Sequence, residues 1–259
     1  MSGTGDTVPE DVAGFGDDVS RRLQSCLGAR FVGAYFVGSV ALGGFVPNES
    51  DVDIVAVCDG RLSDASKTAV ADEILEATDR CPARGLEFTL YRREIVGAPP
   101  IGADFEVNAN GGPRMDRSVH LDAASEPWFW YVLDRAIAFR CGRRIAGPPT
   151  TAIFADVARG TLLTAMVESM GWHRRHEGAT LYSVLNAARA WRFAEDGVLG
   201  SKLEGAAWAR QRWSSPAVID AAVELRHGRP ADLDPQDVDE LLEHVEHALV
   251  AAPSEPRDP

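Results

Sequence analysis

Hydrophobic patterning divides the chain into two parts of different character. In the first part, short apolar runs rich in β-branched and aromatic residues are bounded by turn residues, a pattern that predicts strands. The predicted strands cover 31–37, 51–57, 86–91 and 104–108. Apolar residues at helical spacing predict amphipathic helices over 9–28, 63–80 and 128–139. The first part therefore combines strands with helices, and 110–126 is predicted as turn and loop.

The second part is helical throughout. It follows Ala146-Gly147-Pro148-Pro149, the clearest break in the chain, where we place a domain boundary. The predicted helices cover 154–172, 180–196, 202–212, 215–227 and 235–251. Short polar loops between them predict an antiparallel bundle. We therefore expect two domains, residues 1–149 and residues 150–259, the second of them all-α.

Composition narrows the class of protein. The 259 residues include 39 acidic and 26 basic side chains, for a formal net charge of −13. This acidity argues against a broad contact with nucleic acid and favours a cationic small-molecule substrate. The alternative is that the negative charge only keeps the protein soluble. No apolar stretch has the length of a transmembrane helix, and the polar, acidic N-terminus is unlike a signal peptide. We expect a cytoplasmic monomer with neither a nucleic-acid nor a membrane partner.

The cysteines and histidines offer no metal-binding spacing. Cys26, Cys58, Cys81 and Cys141 are scattered, and in a cytoplasmic protein we expect them to be reduced and packed as small hydrophobic residues. The run from His173 to His176 is interpreted as the basic end of a helix. Neither residue type predicts a zinc site.

The stretch 31–57 carries the strongest chemical signal. Its first strand ends at the turn Gly38-Ser39, and its second begins with Asp51 and Asp53, two residues apart and therefore on one side of the sheet. Two like charges so close repel unless a cation lies between them, and hard oxygen ligands suit Mg²⁺. Backbone N–H groups of the turn and the Ser39 hydroxyl are suited to phosphate oxygens. A metal on two carboxylates opposite a bound phosphate predicts phosphoryl or nucleotidyl transfer.

Glu87 lies within an otherwise apolar predicted strand, where a carboxylate is costly to bury without a partner. If this strand lies beside the strand of Asp51 and Asp53, the three carboxylates converge. Glu87 would then bind a metal or accept the proton of an attacking hydroxyl. The alternative is an exposed glutamate on an edge strand.

Together these segments resemble the nucleotidyltransferase superfamily, and within it the streptomycin/spectinomycin adenylyltransferases. The segments that carry the resemblance are Gly38-Ser39, Asp51-Val52-Asp53, Leu86-Glu87-Phe88-Thr89, Tyr182 to Trp191, Gly197 to Lys202 and Ala206 to Ala209. The resemblance implies an α+β protein, in which a nucleotidyltransferase domain with a mixed sheet flanked by helices precedes a C-terminal helical bundle that closes an ATP and substrate cleft. It also implies that Asp51 and Asp53 bind Mg²⁺, that Glu87 is the catalytic base, and that Arg189 and Lys202 contact ATP.

The acceptor-binding residues match this family less closely. Trp172 and Glu177 are the nearest counterparts of a Trp and Asp that bind streptomycin, and Asn110-Gly111-Gly112-Pro113 stands where the family has a tryptophan-bearing segment. We expect transfer of AMP from ATP to a hydroxyl of streptomycin or spectinomycin, which would confer antibiotic resistance. Transfer to another metabolite or a protein, and a non-catalytic nucleotide-binding or antitoxin-like module, remain alternatives.

Overall fold

A computed structural model describes residues 7–255. The chain divides into two compact units, Met1–Val157 and Ala158–Pro259. In the part of the chain that the structure describes, the first unit is built on a sheet and the second on helices. The α+β class expected from the sequence is confirmed.

A six-stranded mixed sheet forms the centre of the first unit. Its strands are β1 (Phe31–Phe36), β2 (Val52–Cys58), β3 (Leu86–Arg92), β4 (Phe105–Gly112), β5 (Met115–His120) and β6 (Arg143–Ala146). The spatial order is β5-β4-β3-β2-β1-β6. Strands β2 and β3 are parallel, whereas the other neighbouring pairs are antiparallel. A parallel pair needs a long crossover, and α3 (Asp64–Thr78) supplies it here.

Helices cover both faces of this sheet. The helices of the first unit are α1 (Glu10–Leu27), α2 (Gly38–Ala41), α3, α4 (Arg93–Gly97) and α5 (Trp128–Cys141). On one face, apolar residues of α1 and α3, such as Val19 and Ile74, pack with Ile54 and Phe88 of the sheet. On the other, α5 packs against the alternate residues of the same strands. Because side chains alternate along a strand, consecutive residues pack into the two different hydrophobic cores on opposite faces of the sheet.

Three strand predictions were wrong, each for a physical reason. Residues 110–112 belong to β4 and not to a turn, because Gly112 permits an approach to the backbone of Gly85 that a Cβ would block. Strand β5, predicted as loop, has no buried residue, and β6 is a four-residue strand beside β1. Both lack the apolar alternation that predicts a strand.

Between residues 158 and 255 the second unit contains five α-helices. They are α6 (Arg159–His176), α7 (Leu181–Asp196), α8 (Lys202–Arg210), α9 (Ala217–Arg226) and α10 (Pro235–Ala251). All five were predicted, although α6 begins later than expected because Phe154 packs in the core of the first unit, edge-to-face on Tyr35. None of the described helices combines the length and apolarity that a membrane crossing requires.

The cysteines were only partly predicted. No disulfide joins the cysteines of residues 7–255, and Cys58 and Cys81 are buried, whereas Cys26 is exposed. Burial raises the pKa of the Cys58 thiol to about 12 and that of Cys81 to about 11. Cys26 lies near the end of α1 and is exposed, so it is not a packed small hydrophobic residue.

Candidate active site

The Gly38-Ser39 turn is held against the acidic strand that follows it in sequence. Gly38 has a φ of +51°, and a Cβ at this position would collide with the Asp53 carboxylate, so only glycine fits. The Ser39 N–H lies 3.4 Å from Oδ2 of Asp53, and its hydroxyl donates to the carbonyl of Asp51, also at 3.4 Å. The turn that the sequence assigns to phosphate binding is therefore in direct contact with the predicted metal ligands.

Asp53 and Glu87 are direct neighbours in the sheet. Strands β2 and β3 run parallel with Asp53 opposite Glu87, so both side chains project from the same face at the strand spacing of about 4.8 Å. Asp53 is partly buried and Glu87 is exposed at the second position of β3. The two strands are adjacent, as the convergence of these carboxylates requires. Glu87 is exposed, so its carboxylate does not carry the free-energy cost of burial that its apolar strand suggested.

Asp51 has a partner that the sequence analysis missed. It lies immediately before β2, and its two oxygens accept hydrogen bonds from Nε and Nη2 of Arg84 at 2.7 and 2.8 Å. The backbone N–H of Arg84 also donates to the carbonyl of Ser50 at 3.1 Å, which keeps the two side chains side by side. A bidentate guanidinium already neutralises Asp51. The two carboxylates therefore do not by themselves require a cation between them.

The donor chemistry nevertheless suits magnesium. Mg²⁺ is typically held by one or two carboxylates and completes its shell with water and substrate phosphate oxygens. Each Asp51 oxygen retains a second lone pair beside its bond to Arg84, and Asp53 supplies further hard oxygens. No set of three or more Cys, His, Asp or Glu within residues 7–255 is grouped to hold a metal ion. Asp51 and Asp53 therefore fit a substrate-assisted magnesium site, and a three-carboxylate metal cluster with Glu87 is not formed.

A polar ladder continues from Glu87 along the same face. Asn110 lies opposite Glu87 on β4, and its amide Nδ2 donates to Oδ1 of Asn108 at 3.0 Å. The Asn108 amide in turn donates to the hydroxyl of Thr89 at 3.1 Å. Sequence analysis placed Asn110 in a turn and so missed this ladder, although the alternation of Asn108 and Asn110 is visible in the sequence.

Tyr131 of α5 contributes an aromatic hydroxyl to this face of the sheet. Burial, followed by the negative charges of Glu126, Asp134 and Glu87, raises the pKa of Tyr131. Tyr131 therefore stays protonated and can act only as a neutral hydrogen-bonding group. The carboxylate of Glu126 is also in contact with Nδ1 of His120 at 2.7 Å.

The second unit places Arg189 and Lys202 on adjoining helices. Arg189 is the one partly exposed residue between Ser183 and Ala190 on α7, whose other residues in this stretch are buried. A Cβ on Gly205 of α8 would lie 2.6 Å from Cα of Arg189, so the two helices touch through their backbones. Lys202 is the first residue of α8, and its Nζ lies 4.9 Å from the ring centroid of Tyr182.

Glu177 and Trp172 lie at the end of α6. Oε2 of Glu177 is 2.6 Å from Nδ1 of His173, and the Trp172 ring stacks on His176 with centroids 5.0 Å apart. Burial acts to raise the pKa of Glu177, but its hydrogen bond with His173 and the positive charge of Lys202 bring the pKa below its ordinary value. The run from His173 to His176 forms the basic last turn of α6, as predicted, and within this turn His173 is only 2% exposed.

Three comparisons with known proteins bear on these features. Residues 152–251 match the family model of the aminoglycoside adenylyltransferase C-terminal domain. No curated protein sequence matches the chain. Among solved structures, the fold is similar to that of spectinomycin adenyltransferase AAD(9) from Enterococcus faecialis, determined with ATP and spectinomycin. That match has a TM-score of 0.69 at 16% identity and covers 92% of this chain and 98% of the other. Residues 152–251 are thus similar to the C-terminal domain of aminoglycoside adenylyltransferases, and the chain shares the fold of the spectinomycin adenyltransferase.

Proposed function

We propose that this protein transfers AMP from ATP to a hydroxyl group of an aminoglycoside or aminocyclitol antibiotic, with streptomycin and spectinomycin as the first candidates, and thereby confers resistance. The observation that carries the proposal is the pairing of Asp53 with Glu87 across β2 and β3, beside the Gly38-Ser39 turn. This arrangement combines oxygen ligands, a phosphate-binding turn and a general base. The structural relative determined with ATP and spectinomycin supports the same pair of substrates.

The five predicted site residues of the first unit each have a role in this reaction. Gly38 and Ser39 bind phosphate oxygens of ATP, and Asp51 and Asp53 hold Mg²⁺. When bound, the ion neutralises charge on the phosphates. Glu87 accepts the proton of the acceptor hydroxyl as that oxygen forms its bond to the α-phosphorus. The bond from the α-phosphorus to the bridging oxygen breaks, and pyrophosphate leaves with that electron pair.

Residues of the second unit bind the two substrates. Arg189 and Lys202 supply positive charge for the ATP phosphates, the role that the family resemblance implies. Glu177 offers a carboxylate to an ammonium group of the acceptor, and Trp172 offers an apolar ring to its sugar. The net charge of −13 favours the approach of a polycationic antibiotic.

A pyrophosphate-release assay tests the proposal. The protein is incubated with ATP and Mg²⁺ and with streptomycin, spectinomycin or other aminoglycosides, and Glu87→Gln is the matched inactive control. We expect release that depends on both the acceptor and Glu87, with a product heavier than the antibiotic by one AMP moiety. No release with any antibiotic, despite ATP binding by calorimetry, would contradict the proposal and favour another acceptor or a non-catalytic nucleotide-binding module.

A further inference from the structure

A buried hydrogen-bonded chain runs through the second unit behind Glu177. Nδ1 of His173 lies 2.6 Å from Oε2 of Glu177, and Nε2 of His173 lies 2.9 Å from the amide nitrogen of Asn186. His173 is 2% exposed and Asn186 is 7% exposed, whereas the Glu177 side chain is 27% exposed. These hydrogen bonds therefore connect the interior of the helical unit to a carboxylate at its surface.

The hydrogen bonds fix which nitrogen of His173 carries its proton. The Asn186 amide nitrogen can only donate, so Nε2 of His173 must accept. The ionised carboxylate of Glu177 can only accept, so Nδ1 must donate. Asn186 thus selects the tautomer that directs N–H towards Glu177, in the same way that a partner on one imidazole nitrogen sets the role of the other.

The same contacts leave one oxygen of Glu177 for a ligand. His173 and the hydroxyl of Thr180 both bind Oε2, at 2.6 and 3.5 Å. Among residues 7–255, Oε1 of Glu177 has no hydrogen bond. A carboxylate held by one oxygen in a buried bond, with the other presented at the surface, is pre-organised to receive a cation.

We propose that His173 is a positioning residue, which holds the Glu177 carboxylate so that Oε1 faces an ammonium group of the acceptor, with Asn186 fixing the His173 tautomer. This inference rests on the proposed function, since it assigns the acceptor to Glu177. His173 itself does not touch the acceptor. Loss of its N–H leaves Glu177 charged but free to rotate, so acceptor binding weakens while AMP transfer from a bound complex continues.

The test measures steady-state kinetics of His173→Leu, His173→Asn and Glu177→Gln. We expect His173→Leu to raise KM for the acceptor by about tenfold or more, the worth of one hydrogen bond to a charged group, with kcat and KM for ATP near wild type. His173→Asn restores an N–H donor near the position of Nδ1 and should recover part of the loss. His227→Leu removes an exposed histidine of the same unit and should leave all constants unchanged.

A double variant separates positioning from general support of the fold. If His173 acts through Glu177, the His173→Leu/Glu177→Gln protein has the same acceptor KM as Glu177→Gln alone. Additive effects, or equal losses in kcat and in KM for ATP, would overturn the proposal. If His173→Leu fails to fold, His173→Phe takes its place in the cycle, because phenylalanine keeps a ring and has no N–H group.

The tautomer is tested without activity. ¹⁵N NMR of the His173 ring should show a protonated Nδ1 and an unprotonated Nε2 in the wild-type protein, and Asn186→Leu should change this pattern. Protonation at Nε2 alone in the wild type would overturn the proposal. A wild-type protein with no acceptor-dependent pyrophosphate release contradicts the proposed function instead, so the two failures are distinguishable.

Discussion

Asp53 and Glu87 occupy paired positions on β2 and β3, the two parallel strands of the sheet, and their side chains emerge on the same face. The separation between the proposed metal ligand Asp53 and the proposed proton acceptor Glu87 is therefore set by strand spacing and not by loop conformation. Sites built on regular strands hold their groups more rigidly than sites on loops. This relationship makes the roles of the two carboxylates separable by mutation.

The first prediction concerns Glu87. Glu87→Gln keeps the side-chain shape but cannot accept the hydroxyl proton, so turnover should fall by about 10²–10⁴, the usual contribution of a general base. ATP affinity measured by calorimetry should remain near wild type. Asp72→Asn, on the exposed side of α3, is the control and should keep full activity. Near-wild-type turnover of Glu87→Gln would remove this residue from the mechanism.

The second prediction concerns Gly38. Gly38→Ala places a Cβ against the Asp53 carboxylate at a positive φ, so we expect the free energy of unfolding to fall by about 1–3 kcal/mol and turnover to fall sharply. Denaturant titration and the pyrophosphate assay measure the two effects. A matched control is Gly14→Ala, where an added Cβ meets nothing within 4 Å and should stabilise α1 by up to about 1 kcal/mol. Unchanged stability and activity of Gly38→Ala would show that the turn is not constrained as described.

The third prediction concerns the contact between α7 and α8. In Gly205→Ala the gain in helix propensity, about 1 kcal/mol, is opposed by overpacking of about 1–3 kcal/mol against the Arg189 backbone. We expect net destabilisation and a higher KM for ATP, because Arg189 is displaced. At Gly171 of α6 a Cβ would meet only the flexible end of Arg175, so Gly171→Ala should not destabilise the protein. Equal behaviour of the two variants would contradict the backbone contact.

The fourth prediction is a pH dependence of stability. The folded-state pKa of Glu177 is lowered, so its ionised form stabilises the protein above the unfolded pKa, and this contribution is lost as pH falls through the folded value. The difference in unfolding free energy between wild type and Glu177→Gln should be largest near neutral pH and should shrink below about pH 4.5. Urea titrations across this range measure it. A difference that grows towards acid pH would have the wrong sign.

The fifth prediction concerns thiol reactivity. Cys26 is exposed, whereas burial protects Cys58 and Cys81 and raises the pKa of both thiols. A maleimide should therefore label Cys26 first in the native protein, and Cys58 and Cys81 only after unfolding. Peptide mass spectrometry identifies the modified positions. Early labelling of Cys58 would contradict the packing described for the sheet core.

Sequence patterns predicted those parts of the protein that depend on local spacing. Periodicity and short-range motifs predicted the Gly38-Ser39 turn, the Asp51 and Asp53 pair and the helices of the second unit. Each of these features depends only on residues that are close together in the sequence. Glu87 was found because a carboxylate interrupts an apolar strand.

Features that depend on distant partners were not predicted. Arg84 reaches Asp51 only because β2 and β3 are adjacent, and His173 is buried only because α7 brings Asn186 against it. Neither residue differs in local sequence from an ordinary surface arginine or histidine. Strands β5 and β6 were missed for a related reason. They are strands because they pair with a neighbouring strand, and their own sequences have no alternating apolar pattern.

The crossover between β2 and β3 also has a kinetic consequence. Asp53 and Glu87 become neighbours only after the intervening segment, with α3, has folded back over the sheet, and such long-range parallel pairing is among the slower events in protein folding. A nascent or partly folded chain therefore lacks the paired carboxylates altogether. Recovery of activity during refolding should lag behind helix formation and report completion of the entire sheet.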